Sequence, residues 1–181
     1  MSNSKQRLRP CLRSQVVITV AAVTGLLFAS APAARTQTPT PADIAYGMEL
    51  YLQKGNCQAC HGWAGDGRKV DSQMPDGANL RARTIYRPAL LITIKCGRPG
   101  ADMPAFDRLA YSDGRCFGLK AADLRARQLQ LTDPPATLTP NEIELIADFL
   151  LAKVIGKGDL NRATCADYWG KDVDACRELV K

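Results

Sequence analysis

Histidine is almost absent from this chain: one residue, His61, in 181. That scarcity excludes any site built on two imidazoles of the same chain. A second C-x-x-C is missing too, so the second Cys/His pair that commonly completes a structural zinc site is lacking, which disfavours zinc. Alternating apolar and polar runs of strand length are missing, which removes the βαβ setting of a thioredoxin-like dithiol. No internal repeat, phosphate-binding glycine loop, catalytic triad or paired acid/base carboxylate stands out. Clustered basic charge is absent outside the N-terminus. The net charge of +6 owes four units to Lys5, Arg7, Arg9 and Arg13, and the rest carries 20 basic residues against 18 acidic ones. A near-neutral body without a basic footprint argues against nucleic acid as the partner.

What is present begins with a leader. A basic segment from Lys5 to Arg13 precedes the apolar run "VVITVAAVTGLLF", and small residues follow in "ASAPAA". This order reads as a signal peptide over residues 1–33, with Ala31-Pro32-Ala33 as an A-x-A-like cleavage site. Cleavage after Ala31 is disfavoured by Pro32. A retained membrane anchor is the alternative, since Val16 to Ala34 is just long enough to span. Both readings place the rest of the chain in an oxidising compartment, the periplasm. Cys11 lies in the leader, which leaves Cys57, Cys60, Cys96, Cys116, Cys165 and Cys176. An even number in an exported protein suggests that each is used. Sequence proximity favours Cys96–Cys116 and Cys165–Cys176 among the three pairings open to the last four.

Helical signals dominate the remainder, so the expected class is all-α. Residues 34–41 form a polar, proline-containing linker. Thr40, Pro41 and Asp43 supply an N-cap, a first helical residue and a capping-box partner, and Ile44, Met48 and Tyr51 share one face. Gly55 is placed to end that helix. A loop is expected from Gly62 to Asn79, a second helix from Tyr86 to about Lys95, and a short one from Ala121 to Leu131. Thr139, Pro140 and Glu142 open the clearest helix; Ile143, Ile146, Phe149, Leu150 and Val154 continue its apolar stripe, and Gly156 stops it. A last short helix is expected at Thr164, with Asp167 as its capping partner.

Cys57-Gln58-Ala59-Cys60-His61 is the C-x-x-C-H signature of covalent haem c attachment. Two thiols at this spacing add to the two haem vinyl groups, and the adjacent imidazole reaches the iron. With no second histidine, the sixth position falls to methionine, lysine, water or nothing. Met48 belongs to an apolar helix face, and Met74 lies only thirteen residues past His61. Met103 is favoured: Pro104 holds it extended, Gly97, Pro99 and Gly100 shape its loop, and Phe106 can pack beside it. Arg81, Arg87 and Arg98 are candidate partners for haem propionates, whereas Trp63 and Trp169 read as packing residues.

"CQACHGWAGDG", then "GRPGADMPAF" and a C-terminal amphipathic helix, together resemble the class I c-type cytochromes over Ala42 to Gly156. Gly47 and Tyr51 look like that family's Gly-x-x-x-aromatic pair at the crossing of first and last helices, with Ile146 and Phe149 opposite. The resemblance implies a cytochrome c-like helical fold wrapped around one covalent haem, with His61 and Met103 as iron ligands. It further implies single-electron transfer between redox partner proteins, such as a periplasmic dehydrogenase and a terminal oxidase, and no catalysis by the chain itself. A proline carbonyl commonly takes the axial imidazole proton in the family, and Pro75 is the nearest candidate. The expected organisation is a cytochrome domain over residues 42–158 and a disulfide-bearing extension over 159–181. Two alternatives stand beside the carrier: a haem protein with an open sixth site for small ligands or peroxide, and the haem subunit of a larger dehydrogenase. The Cys96–Cys116 bridge, if formed, would limit excursions of the Met103 loop.

Overall fold

Thr40 begins the first helix, α1 (Pro41–Leu52), through reciprocal bonds. Its hydroxyl accepts from the Asp43 N–H and the Asp43 carboxylate accepts from the Thr40 N–H. The computed structural model describes residues 38–69 and 71–179, so the expected leader lies outside the described residues. α2 (Gln58–His61) is a single turn, α3 (Arg87–Cys96) follows the long loop, and α4 (Ala121–Ala126) is short. α5 (Pro140–Lys153) is the longest helix, followed by α6 (Arg162–Trp169) and α7 (Asp174–Arg177). The described residues form no strand, only two isolated bridges, so the fold is all-α as expected. Among them no helix is long and apolar enough to cross a membrane.

α1 and α5 cross at Gly47. A Cβ there would lie 2.1 Å from the Leu145 carbonyl oxygen and 2.9 Å from Cβ of Phe149, so only glycine permits the approach. One turn on, the Tyr51 and Phe149 rings meet at 5.6 Å. Ile143, Ile146, Phe149, Leu150 and Val154 are all buried, joined by Leu90 and Ile94 of α3 and by Phe106. A smaller apolar cluster gathers Ala105, Tyr111 and Leu124 around the Cys96–Cys116 disulfide. The second disulfide, Cys165–Cys176, ties α6 to α7. Both pairings are those that proximity favoured.

Three boundaries differ from expectation. α1 ends at Leu52, and Asn56, not Gly55, adopts a positive φ. The Cys57 N–H then returns to the Tyr51 carbonyl at 2.9 Å, so α1 hands the chain directly to the cysteine turn. α4 stops at Ala126, because Gln128 turns left-handed at φ 55°. α6 starts at Arg162, and its N-cap is Asn161, three residues before the expected Thr164. The Asn161 side chain accepts from the Thr164 N–H at 3.1 Å, and Thr164 answers as the box partner at 2.9 Å. α6 also joins the main core. Tyr168 is buried, its hydroxyl donates to the Trp63 carbonyl, and Trp63 stacks on Trp169 at 5.6 Å. The two tryptophans are packing residues, as their sequence context implied.

Arg87 of α3 pairs with Asp148 and reaches Glu144, both on α5. Asp148 is only 4% exposed. Removing its partner strands a buried carboxylate, and such losses run to about 3–5 kcal/mol for fully buried pairs. Arg87 is itself partly exposed, so Arg87→Ala should cost about 3 kcal/mol in urea unfolding, the low end of that range. Adding Asp148→Asn should recover much of the loss; failure to recover any would show that Arg87 acts through packing alone.

Candidate functional site

The cysteine turn is anchored at both ends. The His61 N–H bonds to the Cys57 carbonyl at 2.9 Å, and the Gln58 side-chain amide donates to the Leu52 carbonyl at 2.7 Å. Cys57 and Cys60 are unbridged, whereas the four remaining cysteines of the described residues are paired. Burial pushes the Cys57 thiol up to about 12 and raises Cys60 as well, with Lys69 opposing the second shift. Reactive dithiols sit in electropositive surroundings that lower the thiol pKa. The environment here works the other way, which disfavours a redox-active dithiol.

His61 is oriented from behind. Its Nδ1 lies 2.9 Å from the Ala78 carbonyl oxygen, and a carbonyl only accepts, so Nδ1 carries the proton. The lone pair is therefore on Nε2, the arrangement of a metal-ligating imidazole. Burial lowers the imidazole pKa and the Ala78 bond opposes that shift in part. The expected carbonyl was that of Pro75; the structure gives the role to Ala78. Gly77 makes this possible. Its N–H donates to the Cys60 carbonyl at 3.0 Å, and a Cβ there would stand 2.6 Å from that oxygen and 2.8 Å from His61 Nδ1.

In front of His61 opens a cleft of about 780 Å³. Its walls are mostly apolar: Leu80, Ile85, Leu90, Ile94, Phe106, Ile146 and Leu150, with Tyr51 also present. Cys57, His61 and Met103 all line it, while Cys60, on the same turn, is not part of the wall. The Met103 loop is shaped by its own backbone. The Arg98 N–H bonds to the Met103 carbonyl at 2.9 Å, and Gly97 takes φ 61° where a Cβ would meet Met103 and Pro104 backbone at 2.5 Å. Met74 is 36% exposed and outside the wall, and Met48 packs against the main core.

Of the three arginines singled out from sequence, Arg98 lines the cleft. Arg87 is engaged by Asp148, and the buried Arg81 donates Nε to the Gly158 carbonyl at 2.7 Å, tying the chain after α5 to the loop after α2. Arg83, Ala78 and Phe117 also line the cleft and carried no signal in the sequence. No carboxylate stands in the wall, nor any imidazole besides His61. Among the described residues no group of three or more His, Cys, Asp or Glu side chains is placed to hold a metal ion. No known family model matches this chain, and no curated protein or solved structure matches it.

Proposed function

We propose that the protein is a periplasmic, monohaem c-type cytochrome that carries single electrons between redox partner proteins. One observation carries the reading: a single apolar cleft has Cys57, His61 and Met103 in its walls. The residues present fit such a group. The cleft volume falls within the roughly 300–1,000 Å³ of cofactor pockets, and its lining is predominantly hydrophobic. Cys57 and Cys60 would hold haem c as thioethers, with His61 and Met103 as iron ligands. When bound, the haem supplies a one-electron ferric/ferrous couple, biased toward the ferrous form by the methionine thioether.

The chain's own part is to bind, orient and exclude water. The Ala78 carbonyl fixes the tautomer and orientation of His61. Leu80, Ile94, Phe106, Ile146 and Leu150 keep the cleft apolar, and Arg83 and Arg98 offer guanidinium donors to anionic groups at its wall. No general acid or base is required. The absence of a carboxylate or second imidazole from the wall weighs against peroxide chemistry, which would need a distal base.

The deciding experiment is the optical spectrum of ferric protein matured with haem-attachment machinery. We expect covalent haem and the weak long-wavelength charge-transfer band of methionine sulfur on ferric haem, lost in Met103→Ala. Covalent haem without the band in wild type would move the reading to an open sixth site. Absence of covalent haem would overturn it altogether. Co-purification with a dehydrogenase would distinguish a haem subunit from a free shuttle.

A further inference from the structure

Phe117 is out of place by ordinary packing rules. It is 54% exposed and takes φ 56°, a left-handed conformation that bulky residues rarely adopt and glycine would take freely. Its neighbours are held on both sides. Cys116 is fully buried and bridged to Cys96; the Leu119 N–H returns to the Cys116 carbonyl at 2.9 Å, and the Gly118 N–H to the Gly114 carbonyl at 3.0 Å. Upstream, the Tyr111 hydroxyl donates to the Cys96 carbonyl at 2.8 Å. Strained residues of this kind persist where surrounding structure over-determines them, and they concentrate at functional sites.

What the strain achieves is visible in the cleft wall. Phe117 is the one wall residue drawn from the segment between Asp107 and Leu138. The disulfide holds the Cα atoms of Cys96 and Cys116 5.5 Å apart, and each is followed immediately by a wall residue, Gly97 and Phe117. The bridge thus fastens Phe117 beside the Gly97–Pro99 stretch that leads to Met103. We propose that Phe117 is an access-controlling residue: its ring shields the Met103 side of the cleft from water and small diffusible ligands. This rests on the haem c reading of the cleft. It explains why a phenylalanine occupies a position where backbone conformation favours glycine and burial offers little reward.

The test uses haem-loaded protein and the second-order rate constant for imidazole binding to its ferric form. Phe117→Gly and Phe117→Ala should each raise that constant about tenfold, the size of effect expected from removing a gate of modest height. Phe117→Leu should stay near wild type, because it keeps apolar cover. Phe117→Gly should not lower the thermal midpoint, since glycine relieves the left-handed backbone. Unchanged rates in the Gly and Ala variants would overturn the shielding role and leave the haem reading intact. Faster binding in all three variants together with lowered midpoints would also overturn it, by showing a merely structural residue. Wild type that acquires no covalent haem would overturn both readings.

Discussion

Gly47→Ala should destabilise the protein by about 3 kcal/mol or more, even though alanine is the better helix former by roughly 1 kcal/mol. Two effects compete at this position, and their magnitudes decide the sign. Gly47 lies inside α1, where removing a glycine relieves backbone entropy. The added methyl, however, would stand 2.1 Å from the Leu145 carbonyl oxygen and 2.8 Å from its carbon. Those atoms are backbone of α5 and cannot rotate away as a side-chain tip would. Relief requires the two helices to separate, which strips contacts from Tyr51, Ile146 and Phe149 at once. Overpacking ordinarily costs about 1–3 kcal/mol, and a clash with helix backbone belongs at or beyond the upper end. Against a total stability of about 5–15 kcal/mol, that loss is large. Urea unfolding of wild type and variant side by side measures it. A higher midpoint in Gly47→Ala would mean that α1 and α5 do not approach as closely as the structure has them.

The same crossing illustrates what a linear sequence discloses. Gly47 and Tyr51 are four apart, as are the caps Thr40 and Thr139 from their helix bodies' first apolar positions, so local spacing alone located α1 and α5. C-x-x-C-H is likewise a contiguous signal, and Met103 was marked by its Pro and Gly neighbours. The misses have a different character. Ala78 acts through its backbone carbonyl, which every residue possesses, so no side-chain pattern could single it out. Asn161 and Thr164 are both good caps three residues apart, and in a reciprocal box either can be taken for the first. Arg87 did carry a usable clue. Asp148 interrupts the apolar surroundings of α5, and a carboxylate in such a place demands a cation from a neighbouring element. Phe117 and Arg83 reach the cleft only because the chain folds back on itself, and nothing near them in sequence announces that.

The second large effect concerns the Cys96–Cys116 bridge. Replacing both cysteines by serine opens a loop with a sequence separation of 20 residues. The chain-entropy model assigns such a loop about 3 kcal/mol, although part of that arises in the unfolded chain. Where the loss falls matters more than its size. The bridge starts from Cys96, the last residue of α3, but its packing partners Ala105, Tyr111 and Leu124 form the smaller cluster rather than the main core. Ala105 follows Met103 by two residues, and the Arg98 N–H to Met103 carbonyl bond begins two residues after Cys96. Opening the bridge should therefore loosen the segment carrying Met103 before it disturbs the main core or the Ala78 carbonyl that orients His61. If the protein carries haem c as proposed, imidazole should displace the sixth ligand of Cys96→Ser/Cys116→Ser at a lower concentration than in wild type, at temperatures well below unfolding. This equilibrium readout is separate from the entry rate that Phe117 is expected to govern. A lowered thermal midpoint with an unchanged displacement midpoint would make the bridge a general staple and sink its role as a clamp on Met103. A shifted displacement midpoint with little change in the main unfolding transition would locate its action in the Met103 loop.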